Sequence, residues 1–490
     1  MVVTDRAYNC DMSLNERLPP LAPGIRQTGA GRFGFMGFGH LDAIRVDPLG
    51  TLATAFETHG DVTLFRFGPL KAFLLADPDH IEHVLIGGRR RYDKKVVSYQ
   101  ILRLLLGDGL LTADGELWQR QRRIATPAFQ RGRILSFGDL IVAEAQRTGE
   151  QWQASSGSVC DMHREMMALT LRIAASSLLG VDVERHTPLV KQALEAGLDY
   201  FDYRIHKPLS APTWVPTPRN LRFRRQRTRL VKLVRGMIAE RRRGASSSDD
   251  GAGADDFLGR LMSARDEVTG EAMSDRQLQD EVMTILLAGH ETTAATMTFI
   301  FHLLAAHPEV ADKLHRELDT VLGGRTPKTD DLSSLPYTKA VVEESMRLMP
   351  PAWIIERRAL EPDRIGDFDL PKGGVALMSQ WLTHRHPRHW PEPEAFKPER
   401  FLGDASRGRH RFAYFPFGGG ERVCIGGSFA LLEARLILAT LAQRFAPVAV
   451  PDFELELDAG ITLRPRGGLP MHIETRTRRV QVAEKAALVG

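Results

Sequence analysis

The chain has 490 residues, of which 43% are hydrophobic, an ordinary share for a globular protein with a large core. Its net charge of +4 is too mild to argue for nucleic acid as a partner. The three cysteines, Cys10, Cys160 and Cys424, lie too far apart to form a paired framework, which excludes a disulfide scaffold and fits a reducing cytosol.

Length alone suggests about three domains, but no linker divides the chain. The expected organisation is a polar Pro/Gly-rich leader over 1–40, a single domain over 41–475 and a polar tail over 476–490. Met1 to Arg26 contains Pro19, Pro20 and Pro23 and no apolar run, so neither a signal peptide nor a membrane anchor is expected there. In chain order, Asp61 to Ala76 reads as a strand pair about a Gly68-Pro69 turn, and Asp77-Pro78-Asp79 opens a helix through Leu85. Gly87 to Asp108 is basic and reads as loop. Asp114-Gly115-Glu116 caps a helix on which Trp118 and Arg122, four residues apart, share one face. Helical periodicity covers Leu135–Gln151 and Met162–Leu179, then weakens beyond Ala193 into Tyr200-Phe201-Asp202-Tyr203. A proline-rich loop, a basic helix over Arg219 to Arg243 and a polar run over Ser246 to Asp256 follow.

Ser274 to His307 is the longest candidate helix. Its apolar run is broken by Gly289-His290-Glu291-Thr292-Thr293, so it reads as a helix through the protein centre and not as a membrane span. The hydroxyl of Thr292 can bond back to the carbonyl of Ala288 and loosen the helix there. Pro336 leads a helix carrying Glu344 and Arg347, three apart and able to pair, and Pro350 and Pro351 end it. Short strands follow near Ile365 and Val375, then a Pro-, His- and Trp-rich meander to Phe401. His384, His386 and His389 lack a cysteine to complete a zinc set and read as loop histidines.

Then comes Phe417-Gly418-Gly419-Gly420-Glu421-Arg422-Val423-Cys424-Ile425-Gly426, with an apolar helix directly behind it and short strands near Phe453 and Met471 to close the chain. The glycines let backbone N–H groups approach the sulfur, and the helix dipole points at it, both favouring the thiolate. Neither a P-loop nor a dinucleotide fingerprint is present, because the required lysine and third glycine are missing. Cys424 therefore reads as a thiolate ligand to haem iron, the alternative being a buried structural cysteine after a turn.

This stretch resembles the haem loop of the cytochrome P450 family, Phe-x-x-Gly-x-Arg-x-Cys-x-Gly, at Phe417, Gly420, Arg422, Cys424 and Gly426. The resemblance implies a mainly α fold with small β-sheets, with haem b held between the long central helix and the helix after the cysteine. It implies that Trp118, Arg122, Arg358 and Arg422 hold the haem propionates, although Arg357, adjacent to Arg358, could do the same work. Ala288 and the acid–alcohol pair Glu291 and Thr292 would lie over the iron, the pair relaying protons to oxygen. The Glu-x-x-Arg of Glu344 and Arg347 would form a structural triad with Arg400. Ala288, Thr292, Ala352, Ile354 and Leu469 would line the substrate pocket. The activity implied is insertion of one oxygen atom from O2 into a small apolar molecule, by hydroxylation or epoxidation, in a cytoplasmic protein. Electrons would come from a separate ferredoxin or flavodoxin with its reductase, docked on Arg120, Arg123, Arg409 and Arg411. A peroxide-driven or isomerising haem-thiolate enzyme and a haem-based ligand sensor are the alternatives.

Overall fold

The computed structural model describes residues 26–27, 40–67, 70–155, 157–179, 187–207, 210–247 and 256–476. The cysteine at position 10, most of the leader, the heart of the 246–256 run and nearly all of the tail lie outside them. Along the chain come β1 (Arg26–Gln27), β2 (Val62–Phe67), β3 (Leu70–Leu75), β4 (Tyr92–Asp93), α1 (Val97–Leu106), α2 (Gly115–Ala125), α3 (Gly138–Ala154) and β5 (Val159–Asp161). Next are α4 (Met162–Leu179), α5 (Thr187–His206), α6 (Pro218–Ser247), α7 (Asp275–Ala306), α8 (Pro336–Leu348), β6 (Ile355–Ala359) and β7 (Val375–Met378). The chain closes with α9 (Gly427–Ala442), β8 (Phe445–Ala449), β9 (Leu457–Ala459), β10 (Leu463–Pro465) and β11 (Pro470–Thr475).

The main sheet runs β1-β2-β3-β7-β6-β4. The β2–β3 pair is the antiparallel hairpin read from the sequence, with Val62 opposite Leu75. A smaller sheet, β8-β11-β5, ties the C-terminal strands to the start of α4. Helix α7 crosses the middle of the molecule and packs on α4, α6, α8 and α9. Ser274 caps it, its hydroxyl accepting from the N–H of Gln277 while the Gln277 side chain accepts from the Ser274 N–H, a device that contributes ~1 kcal/mol.

Two sequence expectations give way to packing. The basic stretch over 87–108 contains α1, whose Ile101, Leu102, Leu105 and Leu106 are buried; the surrounding arginines and lysines hid that apolar stripe. Helix α5 runs on through Tyr200-Phe201-Asp202-Tyr203 to His206. The Tyr200 ring stacks on Phe223 of α6 at 4.1 Å, so a tertiary contact holds a stretch of weak periodicity.

The meander hangs on Arg347, which is wholly buried. Its Nε and one terminal nitrogen fork onto Glu344 at 2.8 and 2.9 Å. The remaining N–H groups reach the carbonyls of His384, Pro393 and Ala395 at 2.9, 2.6 and 3.0 Å. All five guanidinium donors are thereby used. Arg400 Nε lies 3.4 Å from Glu344, so the expected triad assembles. His384 carries the link onward, its Nε2 accepting from the N–H of Phe415, two residues before Phe417. Burial and the Arg347 charge push the His384 ring down to about 3, so it is neutral and can accept. Replacement of Arg347 by alanine leaves buried Glu344 with only Arg400, at 3.4 Å, as a cation and strands three meander carbonyls, and we expect a loss of ~3–5 kcal/mol. Chemical denaturation and haem content of the purified variant measure it; wild-type values for both would contradict the structural role.

Candidate functional site

The cysteine loop owes its shape to close backbone approaches. Gly420 has φ +68°, and a Cβ there would lie 2.2 Å from the carbonyl oxygen of Leu85. At Gly419 a Cβ would come within 2.3 Å of the Phe412 ring. The N–H of Cys424 donates to the carbonyl of Phe417 at 2.9 Å, closing the loop just ahead of α9. The Cys424 side chain has accessible surface yet lies deep within the protein, because that surface faces an internal cavity. Burial pushes its thiol up from the ordinary value, while the Gly426 and Gly427 N–H groups and Arg122 pull the other way. Desolvation thus outweighs the glycine N–H groups that the sequence places to stabilise a thiolate. An iron ion itself supplies the charge that deprotonates such a thiol.

The cavity has a volume of about 770 Å³, and Lys94, Arg122, Arg357 and Arg422 stand in its wall. Lys94 is buried, and its ammonium is driven well down by desolvation and by Arg357 and Arg422 beside it. Arg422 stacks on Trp118 at 4.1 Å and pairs with Asp114. Arg122 donates to the carbonyl of Val423 at 3.0 Å, beside the sulfur. Three arginines and a lysine stand around an accessible thiol. That set suits a flat apolar group bearing two carboxylates, so these residues fit haem.

Arg358 is placed differently from the expectation. It is absent from the cavity wall and forks onto Asp93 at 3.0 and 2.6 Å. Arg357 lies in the cavity wall, while Arg358 turns to Asp93, its antiparallel partner on β4. Leu469 is a second correction. It is buried in the core cluster around α3, α4 and α9, and its N–H donates to Asp161 at 2.9 Å. The C-terminal cavity wall comes instead from the hairpin tip Gly460-Ile461-Thr462, between β9 and β10. Gly460, between two short runs of strand-forming residues, was the available sequence signal. Of the basic groups proposed for partner docking, Arg123 forks onto Asp266 at 2.7 and 2.9 Å, and Arg120 reaches Glu271 at 3.1 Å. Arg409 stacks on Trp390 at 4.1 Å. Arg411 remains beside the cysteine loop, with Arg89 near it.

Across the cavity, α7 presents Ala288, Gly289, Glu291 and Thr292. The Thr292 hydroxyl donates to the carbonyl of Ala288 at 2.7 Å, as the spacing predicts. The helix nevertheless runs unbroken from Asp275 to Ala306, so the bond does not open it. A side chain at Gly289 would meet nothing within 4 Å, since that face looks into the cavity. Glu291 is buried and accepts from the Thr462 hydroxyl at 2.7 Å, with Arg464 at 3.9 Å. Burial raises its pKa against the pull of both partners. Ala352, Ile354, Phe417 and Gly426 complete the named lining.

This arrangement coincides with what sequence and fold comparison find. The profile described as Cytochrome P450 matches residues 34–467. The chain belongs to the cytochrome P450 family. Among curated relatives, cyclooctat-9-en-7-ol 5-monooxygenase of Streptomyces melanosporofaciens is 37% identical over 94% of this chain and 97% of its own. Pentalenene oxygenase of Streptomyces avermitilis is 34% identical over 86% of this chain and 92% of its own. The crystal structure of the cytochrome P450DA heme domain superposes with a TM-score of 0.83 at 26% identity, covering 94% of this chain and 99% of that one. The protein is thus a cytochrome P450 monooxygenase with the mainly α fold of that family, a haem enzyme that uses O2 and a redox partner on apolar substrates. Among the described residues no helix is long and apolar enough to cross a membrane.

The loop geometry gives a test. Alanine at Gly420 meets a backbone oxygen that cannot move aside and adopts a φ that costs ~1 kcal/mol or more. We expect a folded P450 with sharply reduced haem content, read from the haem-to-protein absorbance ratio beside the circular dichroism spectrum.

Proposed function

We propose that this P450 holds haem b through Cys424 and inserts one oxygen atom from O2 into a terpenoid-like molecule, by hydroxylation or epoxidation, in the cytoplasm. The observation that carries the reading is the accessible Cys424 sulfur, buried at one wall of an apolar cavity whose other wall presents Glu291 and Thr292. The terpenoid assignment rests on the relatives named above and on the lining by Leu102, Leu287, Ala352, Ile354 and Ile461. When bound, the haem supplies the oxygen-activating chemistry, and the protein supplies position and protons.

In this reading Lys94, Trp118, Arg122, Arg357 and Arg422 receive the two haem carboxylates. Those anions would offset the desolvation and the Arg357 and Arg422 charges that now drive the Lys94 ammonium down. Phe417 and the glycine loop keep water from the sulfur. Glu291 holds a proton more readily than a surface carboxyl, because burial raises its pKa, and Thr462 fixes its orientation. It would pass that proton into the cavity, where Thr292 lends its hydroxyl. A ferredoxin or flavodoxin would dock near Arg411, since Glu421 pairs with Arg89 and Asp266 already occupies Arg123 and lies against Arg120.

Reduction under carbon monoxide tests the ligand: the red-shifted Soret band of a thiolate haem is expected in wild type. A band at the histidine-ligated position would remove the basis of the proposal. Glu291→Gln should retain that band while slowing substrate turnover ~10²–10⁴-fold, the range of a lost general acid. Steady-state rates with a surrogate ferredoxin and reductase read the effect.

A further inference from the structure

Glu356 is a carboxyl in the cavity wall that neither the thiolate nor the acid–alcohol pair uses. It sits on β6 opposite Leu377 of β7, and Val375, Leu377 and Ile354 make the wall around it apolar. The Ser98 hydroxyl, at the start of α1, donates to Glu356 Oε2 and fixes the group. Among the described residues no donor reaches Oε1 and no cation makes an ion pair with this carboxyl. The candidates are engaged elsewhere. Arg357 turns a terminal nitrogen to the backbone carbonyl of Glu356 at 2.8 Å. Arg358 is held by Asp93, and Lys94 donates to the carbonyl of Leu111 at 3.2 Å. Desolvation raises the Glu356 pKa, with Ser98 and Arg357 opposing.

A carboxyl among apolar side chains with no ion-paired cation costs stability unless something hydrogen-bonds it. Ligand pockets place few polar groups among apolar ones, and those few set orientation. We propose that Glu356, oriented by Ser98, anchors a hydroxyl group of the substrate, so that the molecule oxidised here is an alcohol on an otherwise apolar skeleton. The substrate must then come from a step that has already installed a hydroxyl on the hydrocarbon. The inference rests on the monooxygenase reading above and adds the polar feature that the substrate carries.

The test uses the full-length haem-loaded protein and three matched probes: cyclododecane, cyclododecanol and cyclododecanone. Equilibrium dialysis gives their dissociation constants, with the Soret shift as a second readout. Glu356→Leu should weaken cyclododecanol about tenfold and leave cyclododecane within about twofold, as expected for one lost hydrogen bond. Glu356→Gln should preserve the preference, because its amide oxygen still accepts, and Ser98→Ala should reduce it. Equal weakening of alcohol and hydrocarbon by Glu356→Leu, an unchanged alcohol affinity, or a ketone bound as tightly as the alcohol would overturn the assignment. Dialysis reads this contact whether or not the thiolate band forms, so failure of the haem-thiolate reading is scored separately by the carbon monoxide spectrum.

Discussion

The buried guanidinium of Arg347 is the constraint on which the catalytic side of the molecule depends. A charge taken fully out of water is tolerable only when every donor finds a partner. Here the partners are Glu344 on its own helix and three carbonyls of a meander that has no regular ladder of its own. The chain from Arg347 through His384 to Phe415 delivers the cysteine loop to a defined place. The loop then needs only short-range devices: glycines where the backbone meets the Leu85 carbonyl and the Phe412 ring, and the Cys424 to Phe417 bond.

The cavity that results is electrostatically unfinished. Desolvation keeps the cysteine thiol protonated and drives the Lys94 ammonium toward neutrality. A metal cation at the sulfur and two carboxylates at the basic wall would reverse both effects. Affinity for haem thus draws on charges that the bare protein holds at a cost, a common arrangement where a cofactor completes a fold.

Two carboxyls of the cavity work by the same balance in the other sign. Glu291 and Glu356 are both carboxyls raised by burial, and each is steadied by one hydroxyl, from Thr462 and Ser98 respectively. Their surroundings differ. Glu291 has Arg464 within 3.9 Å and Thr292 as its sequence neighbour, which suits a group that exchanges protons. Glu356 has mostly apolar neighbours, no ion pair and an oxygen without a hydrogen-bond donor, which suits a group that holds a ligand. Identical side chains in one cavity divide their tasks through what stands beside them.

Local chemistry was readable from residue order alone. Cysteine among glycines, threonine four residues after Ala288, and glutamate three before Arg347 each act within one turn or loop, where covalent spacing sets the geometry. The hairpin at 62–75 and the long central helix were legible for the same reason. Helix α1 was not, because charged neighbours masked a stripe whose burial depends on α5 and α7. The choice between Arg357 and Arg358, and between Leu469 and the 460–462 tip, was also closed to the sequence. Pairing of β6 with β4 sets Asp93 opposite Arg358 and leaves Arg357 to the cavity, a register that only distant segments fix. Residue order determined which chemistry this chain can perform; the packing of distant segments decided which side chains face the cavity, because that depends on contacts no local pattern encodes.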